Sequence, residues 1–334
     1  MRLGFIGIGD IACHHAKAAR AAGASIVACC ASRGMQSPNL SKFLNVANGL
    51  PGGVLDQLMV TNKITDVLDW PAVDGVVVAP SWQAIPPMLP TLLRSGKPLL
   101  VEKPVALRAD DLQVAVGHLP MASDSFMAVR HLRVGFNRRF YEPVQALRAR
   151  LARGGLRYAR VVISEHLEHH MKTTGAAVLP WLLQFTSIHT FDLVGYLFGE
   201  LRVEAGWHDI GNPDFMCFNG LLAGTTPLMF HVNADAAEPA GIWCHFNDGS
   251  VWALSPLETL RVYQGIDIEQ ATLDRPYRQF TPKEMLRVDV DRSHKPGFMC
   301  QMRSFLNGHT DTSAGLVDAW NALRLIEGLG EKGQ

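Results

Sequence analysis

The stretch Leu3-Gly4-Phe5-Ile6-Gly7-Ile8-Gly9-Asp10-Ile11-Ala12 decides the fold. An apolar run enters G-x-G-x-x-[GA], and the alanine-rich Ile11–Ala22 continues with helical character. In that context the first glycine makes a tight turn, and the second lets backbone approach a pyrophosphate. The small third residue lets helix pack on strand, while the helix N-terminus offers free N–H groups to the anion. Gly7, Ile8, Gly9, Asp10, Ile11 and Ala12 are therefore candidate dinucleotide ligands. The plain alternative is a glycine-rich turn that binds nothing.

Outward from this turn, short apolar runs recur at Ser25–Cys30, Gly75–Ala79 and Pro98–Val101, with a helical segment at Pro86–Arg94. The runs are continuous rather than alternating, as expected for strands covered on both faces. Ser37-Pro38 reads as a helix start, with serine as cap and proline at the first helical position. Alternating β and α elements of this kind predict an α/β doubly wound parallel sheet over residues 1–130.

After about residue 130 the pattern changes to that of an α+β domain. Tyr141–Arg153 reads as a helix, and Tyr158–Ser164, Val203–Trp207, Thr226–Val232, Gly241–Phe246, Ser250–Leu254 and Leu260–Tyr263 read as strands. Asn247-Asp248-Gly249 supplies a hairpin turn. Residues 131–334 are thus expected to form an open, mostly antiparallel sheet with helices. The final helix, Ser313–Leu329, is free to pack back on the first domain. A cleft between two such domains is a favoured place for ligands.

The second strand ends Cys29-Cys30-Ala31-Ser32-Arg33. A site that prefers NAD places an acidic residue there for the ribose 2′-hydroxyl. No Asp or Glu occurs between Asp10 and Asp56. Ser32 and Arg33 offer instead a hydroxyl and a guanidinium, which suit a 2′-phosphate. NADP is favoured over NAD on this reading; the bland alternative makes Arg33 a surface charge.

Composition excludes several classes. Lys plus Arg and Asp plus Glu number 31 each, so no global field favours nucleic acid or an anionic membrane. No apolar stretch approaches the roughly 20 residues that span a bilayer. The opening residues show no basic leader or cleavage site, and the six cysteines show no C-x-x-C spacing. The expectation is a cytoplasmic protein with reduced thiols.

Glu102-Lys103-Pro104 follows the run Pro98–Val101, at the carboxyl end of a predicted parallel strand, where open α/β sheets place ligands. With this tripeptide, the chain resembles the Gfo/Idh/MocA (glucose–fructose oxidoreductase, inositol dehydrogenase and rhizopine-catabolism) family over nearly its whole length. The resemblance is carried also by Val73–Pro80, by Ser95-Gly96-Lys97-Pro98 and by Val134-Gly135-Phe136-Asn137-Arg138-Arg139-Phe140. His189-Thr190-Phe191-Asp192 before Tyr196-Leu197-Phe198-Gly199 completes it.

The resemblance implies a Rossmann domain followed by an open sheet whose free face makes homodimers or homotetramers. It implies hydride transfer between a nicotinamide and a hydroxyl or carbonyl carbon of a sugar, polyol or nucleotide sugar. It places Ala79, Pro80, Ser81, Trp82, Glu102 and Lys103 along the cofactor. Lys103 would polarise the reacting oxygen, His189 would accept the proton, and Asn137 and Arg138 would line the substrate pocket. A cis Lys103–Pro104 peptide is also expected from the family.

The sequence departs from the family pattern in two places. Phe185 stands where many members carry an aspartate four residues before the histidine, and Ala84 stands where a histidine is common. Losing a general acid or base typically costs on the order of 10² to 10⁴ in rate. Trp82 is then a candidate to pack on the cofactor, and Trp181 and Phe185 to wall the substrate; core packing is the alternative.

His166, Glu168, His169 and His170 form the densest ionisable cluster, without a zinc-site spacing. His166 is a candidate substrate ligand or substitute acid–base group, against a solvated loop. Lys172 could meet an anionic substrate group, and Asp192 could bond His189 or lie at a subunit surface. No metal is expected. The leading reading is an NAD(P)-dependent oxidoreductase of a carbohydrate-like substrate. Its rivals are a silent dinucleotide-binding sensor or scaffold, and a reductase of a less polar carbonyl or imine.

Overall fold

The computed structural model describes residues 1–49, 58–117, 129, 131–201, 227–234 and 237–332. The chain begins β1 (Arg2–Ile6), α1 (Asp10–Ala21), β2 (Ser25–Cys30), α2 (Leu40–Asn48), β3 (Met59–Thr61) and α3 (Ile64–Asp69). It continues β4 (Gly75–Val78), α4 (Ile85–Arg94), β5 (Leu99–Val101), α5 (Ala109–Ala115) and β6 (Leu132–Val134). These strands form one parallel sheet in the order β3-β2-β1-β4-β5-β6. The order reverses between β1 and β4, so the turn after β1 opens at the switch point where such sheets bind ligands.

Every residue of β4 and β5 is buried, which explains their unbroken apolar sequence. The core on one side of the sheet joins Phe5 and Phe43, rings 5.2 Å apart and edge to face, with Ala12, Ala16 and Ala19 of α1. Alanines there let the helix lie close to the strands.

The rest of the chain runs α6 (Glu142–Leu151), β7 (Leu156–Glu165), α7 (Leu167–Thr174), α8 (Ile188–Phe198), β8 (Leu228–Ala234) and β9 (Gly241–Phe246). Then follow β10 (Val251–Leu254), β11 (Thr259–Glu269), β12 (Gln279–Asp289), α9 (Phe298–Leu306) and α10 (Leu316–Lys332). The second sheet has the order β12-β11-β10-β9-β7-β8, antiparallel except where β7 meets β8. Both sheets agree with the expected classes.

By contacts the chain divides into two units. The first comprises Met1–Phe140, Trp181–Leu193 and Arg292–Ile326; the second comprises Tyr141–Pro180, Val194–Asp291 and Glu327–Gln334. In the first, α9 packs on α1, and Phe298, Met302 and Phe305 join the core around Phe5. In the second, α6 touches β10, β11 and β12.

Several local expectations are corrected. The helix after Ser37-Pro38 starts at Leu40, and Ser37 instead closes a short 3₁₀ turn over Gly34–Gln36. Strands β3, β6 and β12 and helices α3, α5, α7 and α9 were not legible. The strand expected over Val203–Trp207 lies outside the described residues, and β8 begins at Leu228 rather than 226. The hairpin turn at 247–249 is present, with Gly249 at φ +79 and the Asp248 carboxylate accepting from the Ser250 N–H at 2.9 Å. Cys13, Cys29, Cys30 and Cys244 are buried free thiols, Cys300 is exposed, and Cys217 lies outside the described residues. Among the described residues no helix is long and apolar enough to cross a membrane.

Candidate active site

Gly7 sits at φ +87, a left-handed conformation that a side chain disfavours. A Cβ there would also fall 2.4 Å from the Pro80 nitrogen and 2.5 Å from the Ala79 carbonyl. The turn after β1 therefore presses on the turn after β4, and Ile8 and Ala79 are buried between them and the core. Gly9, at the N-cap of α1, is different: nothing lies within 4 Å of where its Cβ would be. That open space faces the unpaired N–H groups of the first turn, from Asp10 to Ala12, as a pyrophosphate cradle requires. Asp10 itself is turned to solvent and paired with Lys42 at 2.5 Å, which holds its carboxyl below the usual range. At the end of β2, Ser32 and Arg33 are exposed. The residues present thus fit a dinucleotide.

Glu102-Lys103-Pro104 follows β5 directly, and the Lys103–Pro104 peptide is cis as the resemblance implied. Glu102 is buried, with Oε1 2.7 Å from His15 Nε2 and Oε2 accepting the Lys103 N–H at 3.3 Å. Burial opposes its charge, but the His15 hydrogen bond and the positive Lys103 and Lys295 outweigh burial and hold the carboxyl below its ordinary value. A Cβ on Gly135, the residue after β6, would meet this carboxylate at 3.0 Å, so the close approach there favours glycine. The His15 ring meets Phe298 at 4.4 Å with the planes tilted by 34°, and Lys295 Nζ lies 5.3 Å from the same ring.

Lys103 Nζ donates to the Phe185 carbonyl at 2.6 Å and stands 5.0 Å from the Phe185 ring. Phe185 belongs to a π-helical turn, Leu183–Ser187, which runs into α8. Such turns recur at functional sites. The aspartate expected at 185 is absent, yet its position still holds the lysine, through backbone rather than side chain. The Trp82 ring contacts the Phe185 ring at 5.6 Å. Trp181, half-buried, ends a 3₁₀ turn, and Pro80 and Ser81 lead into another at Trp82–Ala84.

His189 is partly buried, with Nδ1 enclosed and without a partner, and its ring meets Phe136 edge to face at 5.8 Å. Burial first, and then the positive Lys103, Arg138 and Lys295, hold its pKa well below the ordinary imidazole value. His189 is therefore neutral at neutral pH.

The motif turn Asn137–Phe140 fixes the rest. Asn137 Nδ2 donates to the Pro296 carbonyl at 2.9 Å, and Arg138 Nη1 to the Thr190 hydroxyl at 2.8 Å. Arg139 is buried against Asp192 at 2.9 and 2.5 Å and Asp318 at 2.8 Å. Asp192 thus serves neither His189 nor a surface.

The structure brings Glu102, Lys103, Phe185, Trp82, His189, Asn137 and Arg138 into the first unit. His166 lies in the second, exposed at the N-cap of α7. Its neighbours are engaged locally: His170 with Glu165 at 3.0 Å, and Lys172 with Glu168 at 2.6 Å. The cluster occupies a helix and its cap rather than a loop. Among the described residues no group of three or more His, Cys, Asp or Glu could hold a metal ion. Sequence reasoning missed His15 and Lys295. His15 had a signal, a lone polar residue on the apolar Ala12–Ala16–Ala19 face of α1; Lys295 had none.

A pH prediction follows from His189. The unfolded histidine takes up its proton near pH 6.5, whereas the folded one does so only at lower pH. Below pH 6.5 the unfolded state binds more protons, so stability falls as pH falls, by at most about 1.4 kcal/mol per pH unit from this group. Denaturant unfolding across the range should show this slope shrink in His189→Gln; an unchanged slope would count against a buried neutral imidazole.

Residues 1–128 match the family described as oxidoreductase family, NAD-binding Rossmann fold (GFO_IDH_MocA). Inositol 2-dehydrogenase 4 of Saccharopolyspora erythraea is 28% identical over 209 residues, 60% of this chain and 54% of that protein. The chain thus matches little more than half the length of this curated relative. Among solved structures, a dehydrogenase from Chromobacterium violaceum has a TM-score of 0.72 at 16% identity, covering 100% of this chain and 95% of that one. An oxidoreductase from Agrobacterium radiobacter, in complex with NAD+, L-tartaric acid and magnesium, has a TM-score of 0.67 at 17% identity, covering 99% and 96%. These structural likenesses establish the fold. With the glycine turn and the strand order, residues 1–128 match the Gfo/Idh/MocA oxidoreductase family, and the N-terminal sheet has that family's NAD-binding Rossmann fold.

Proposed function

We propose that the protein is an NAD(P)-dependent oxidoreductase of a carbohydrate-like substrate, with residues 1–130 holding the nucleotide and 131–334 serving substrate binding and oligomerisation. The observation that carries this reading is the pairing of a tethered Lys103 with a neutral His189 in one unit with the Gly7–Ala12 cradle. A sensor needs neither group.

Gly7 to Ala12 hold the pyrophosphate, and Ser32 and Arg33 take a 2′-phosphate, so NADP is favoured over NAD. Ala79 to Trp82, Glu102 and Lys103 line the remainder. The bound dinucleotide supplies a hydride acceptor or donor. When bound it would accept hydride from the substrate carbon in the oxidation direction, and His189 would take the hydroxyl proton at Nε2, the ring nitrogen that is not enclosed. Lys103 Nζ donates to the reacting oxygen and stabilises the charge that develops there. Its bond to the Phe185 carbonyl sets its direction, the service a carboxylate at 185 would give. Trp82 and Phe185 present rings that suit an apolar sugar face, with Trp181 extending the wall. Asn137 and Arg138 position the substrate. No metal takes part in this scheme.

A homodimer or homotetramer through the second sheet is part of the proposal. Its open face carries the Tyr158–His245 stack, Arg160 over Trp243, and an exposed Met229. Reduced-nicotinamide absorbance with NADP+ or NAD+ against sugars, polyols, sugar acids and apolar alcohols tests the reaction. Turnover of a carbohydrate-like compound is expected. Turnover confined to apolar alcohols, or none with any class, would contradict it.

A further inference from the structure

Beside Lys103 and His189 stand two cations that, among the described residues, form no ion pair with a carboxylate. Arg138, half-buried, spends one Nη1 hydrogen on the Thr190 hydroxyl. Lys295, half-buried, lies over the Phe298 ring. Among the described residues neither meets a carboxylate at ion-pair distance. Glu102 is within electrostatic reach of Lys295, but its two oxygens already serve His15 and the Lys103 N–H.

The packing makes this convergence a built feature. Asn137 ties its turn to the Pro296 carbonyl, next to Lys295, and α9 packs on the same turn. Thr190, which accepts from Arg138, adjoins His189 on α8, and the Arg139 pair with Asp192 clamps that helix to the turn. Lys103, Arg138 and Lys295 all bear on His189. Among the described residues three cations thus stand near His189, with Glu102 as the carboxylate that acts on Lys103 and Lys295. Charges withdrawn from water are unfavourable unless paired. A neutral polyol would leave Arg138 and Lys295 without a counter-ion, whereas a carboxylate or phosphate matches a guanidinium fork with an ammonium beside it.

We propose that Arg138 and Lys295 form a receptor for an anionic group carried by the substrate, which is therefore a sugar acid, hydroxy acid or sugar phosphate rather than a neutral polyol. The inference rests on the oxidoreductase reading of the same site. The cofactor's own phosphates are the other source of such an anion, because Lys295 also bears on His14 of α1.

The test is calorimetric titration of the full chain saturated with NADPH, using gluconate and a hexose phosphate against their neutral counterparts glucose and myo-inositol. One anionic probe should bind tighter than its counterpart by about 10- to 100-fold, the range of charge-assisted hydrogen bonds. Lys295→Met should erase that preference and Lys295→Arg retain it, with NADPH affinity unchanged in both. The comparison of probes on the unaltered protein decides the matter even where a variant fails to fold. Equal or tighter binding of the neutral probes would overturn the inference, as would no anionic binding by protein that holds NADPH. Lys295→Met that weakens NADPH but keeps the anion preference would assign Lys295 to the cofactor. Protein that binds no NADPH at all would instead remove the oxidoreductase reading beneath it.

Discussion

Replacing Lys103 with alanine is expected to lower kcat/KM on the true substrate by about 10² to 10⁴, the usual worth of a positioned acid–base or oxyanion-stabilising group. Affinity for the nucleotide should change little, because the Gly7–Ala12 cradle is formed by backbone and by the α1 terminus. The loss should fall on kcat, since the ammonium's interaction with the reacting oxygen strengthens as charge develops. Lys103 is also a structural tie: its Nζ reaches across 82 positions of sequence to the Phe185 carbonyl. Circular dichroism and thermal unfolding of the variant separate the two roles. A folded Lys103→Ala enzyme with undiminished kcat/KM would refute the assignment.

The second large effect is on stability. Asp192→Ala should destabilise the protein by about 3–5 kcal/mol, the cost of leaving a buried charge without its partner. Arg139 is only 5% exposed and binds Asp192 through two nitrogens. Burial pushes the Asp192 carboxyl up to about 6 against the pull of Arg139, so the pair is ionised at neutral pH. With the carboxylate gone, Asp318, more exposed, is left as the acid bonded to that guanidinium. A loss of this size is a large share of the roughly 5–15 kcal/mol that holds a typical domain. Replacing both partners, as Arg139→Met with Asp192→Leu, should recover most of it, since the acid then left without Arg139 is Asp318, which is more exposed to water. Denaturant midpoints measure both. An Asp192→Ala loss below about 1 kcal/mol would mean the pair is solvated, contrary to its burial. The same pair holds Arg138 and His189 in register, so its loss should also impair any activity of the site.

Much of the nucleotide half was legible because its constraints act on backbone and are recorded as residue type. Gly7 is read directly, since no other residue tolerates both its dihedral angle and its approach to Pro80. The unbroken Val76-Val77-Val78 announces a strand with two covered faces. The pairing of β12 left no such trace: all its residues but Val288 are exposed, so neither period nor run marks it. Three-residue β3 and β6 are too short for periodicity to register.

At the site, Phe185 shows what residue type conceals. Its side chain signalled a lost aspartate, while the compensating group is a carbonyl that every residue has. Asp192 at three residues from His189 fitted either a catalytic or a surface role, and only the position of Arg139 decides it. Lys295 sits in a loop of ordinary composition far along the chain. Its relevance arises when α9 packs against α1 and the 137–140 turn.

The account stands most directly on one measurement: fluorescence titration of the folded, cofactor-free protein with NADPH and, separately, with NADH. Saturable binding of both, markedly tighter for NADPH, is the predicted result, from the Gly7–Ala12 cradle and the exposed Ser32 and Arg33. Binding of neither nucleotide would contradict the oxidoreductase reading itself.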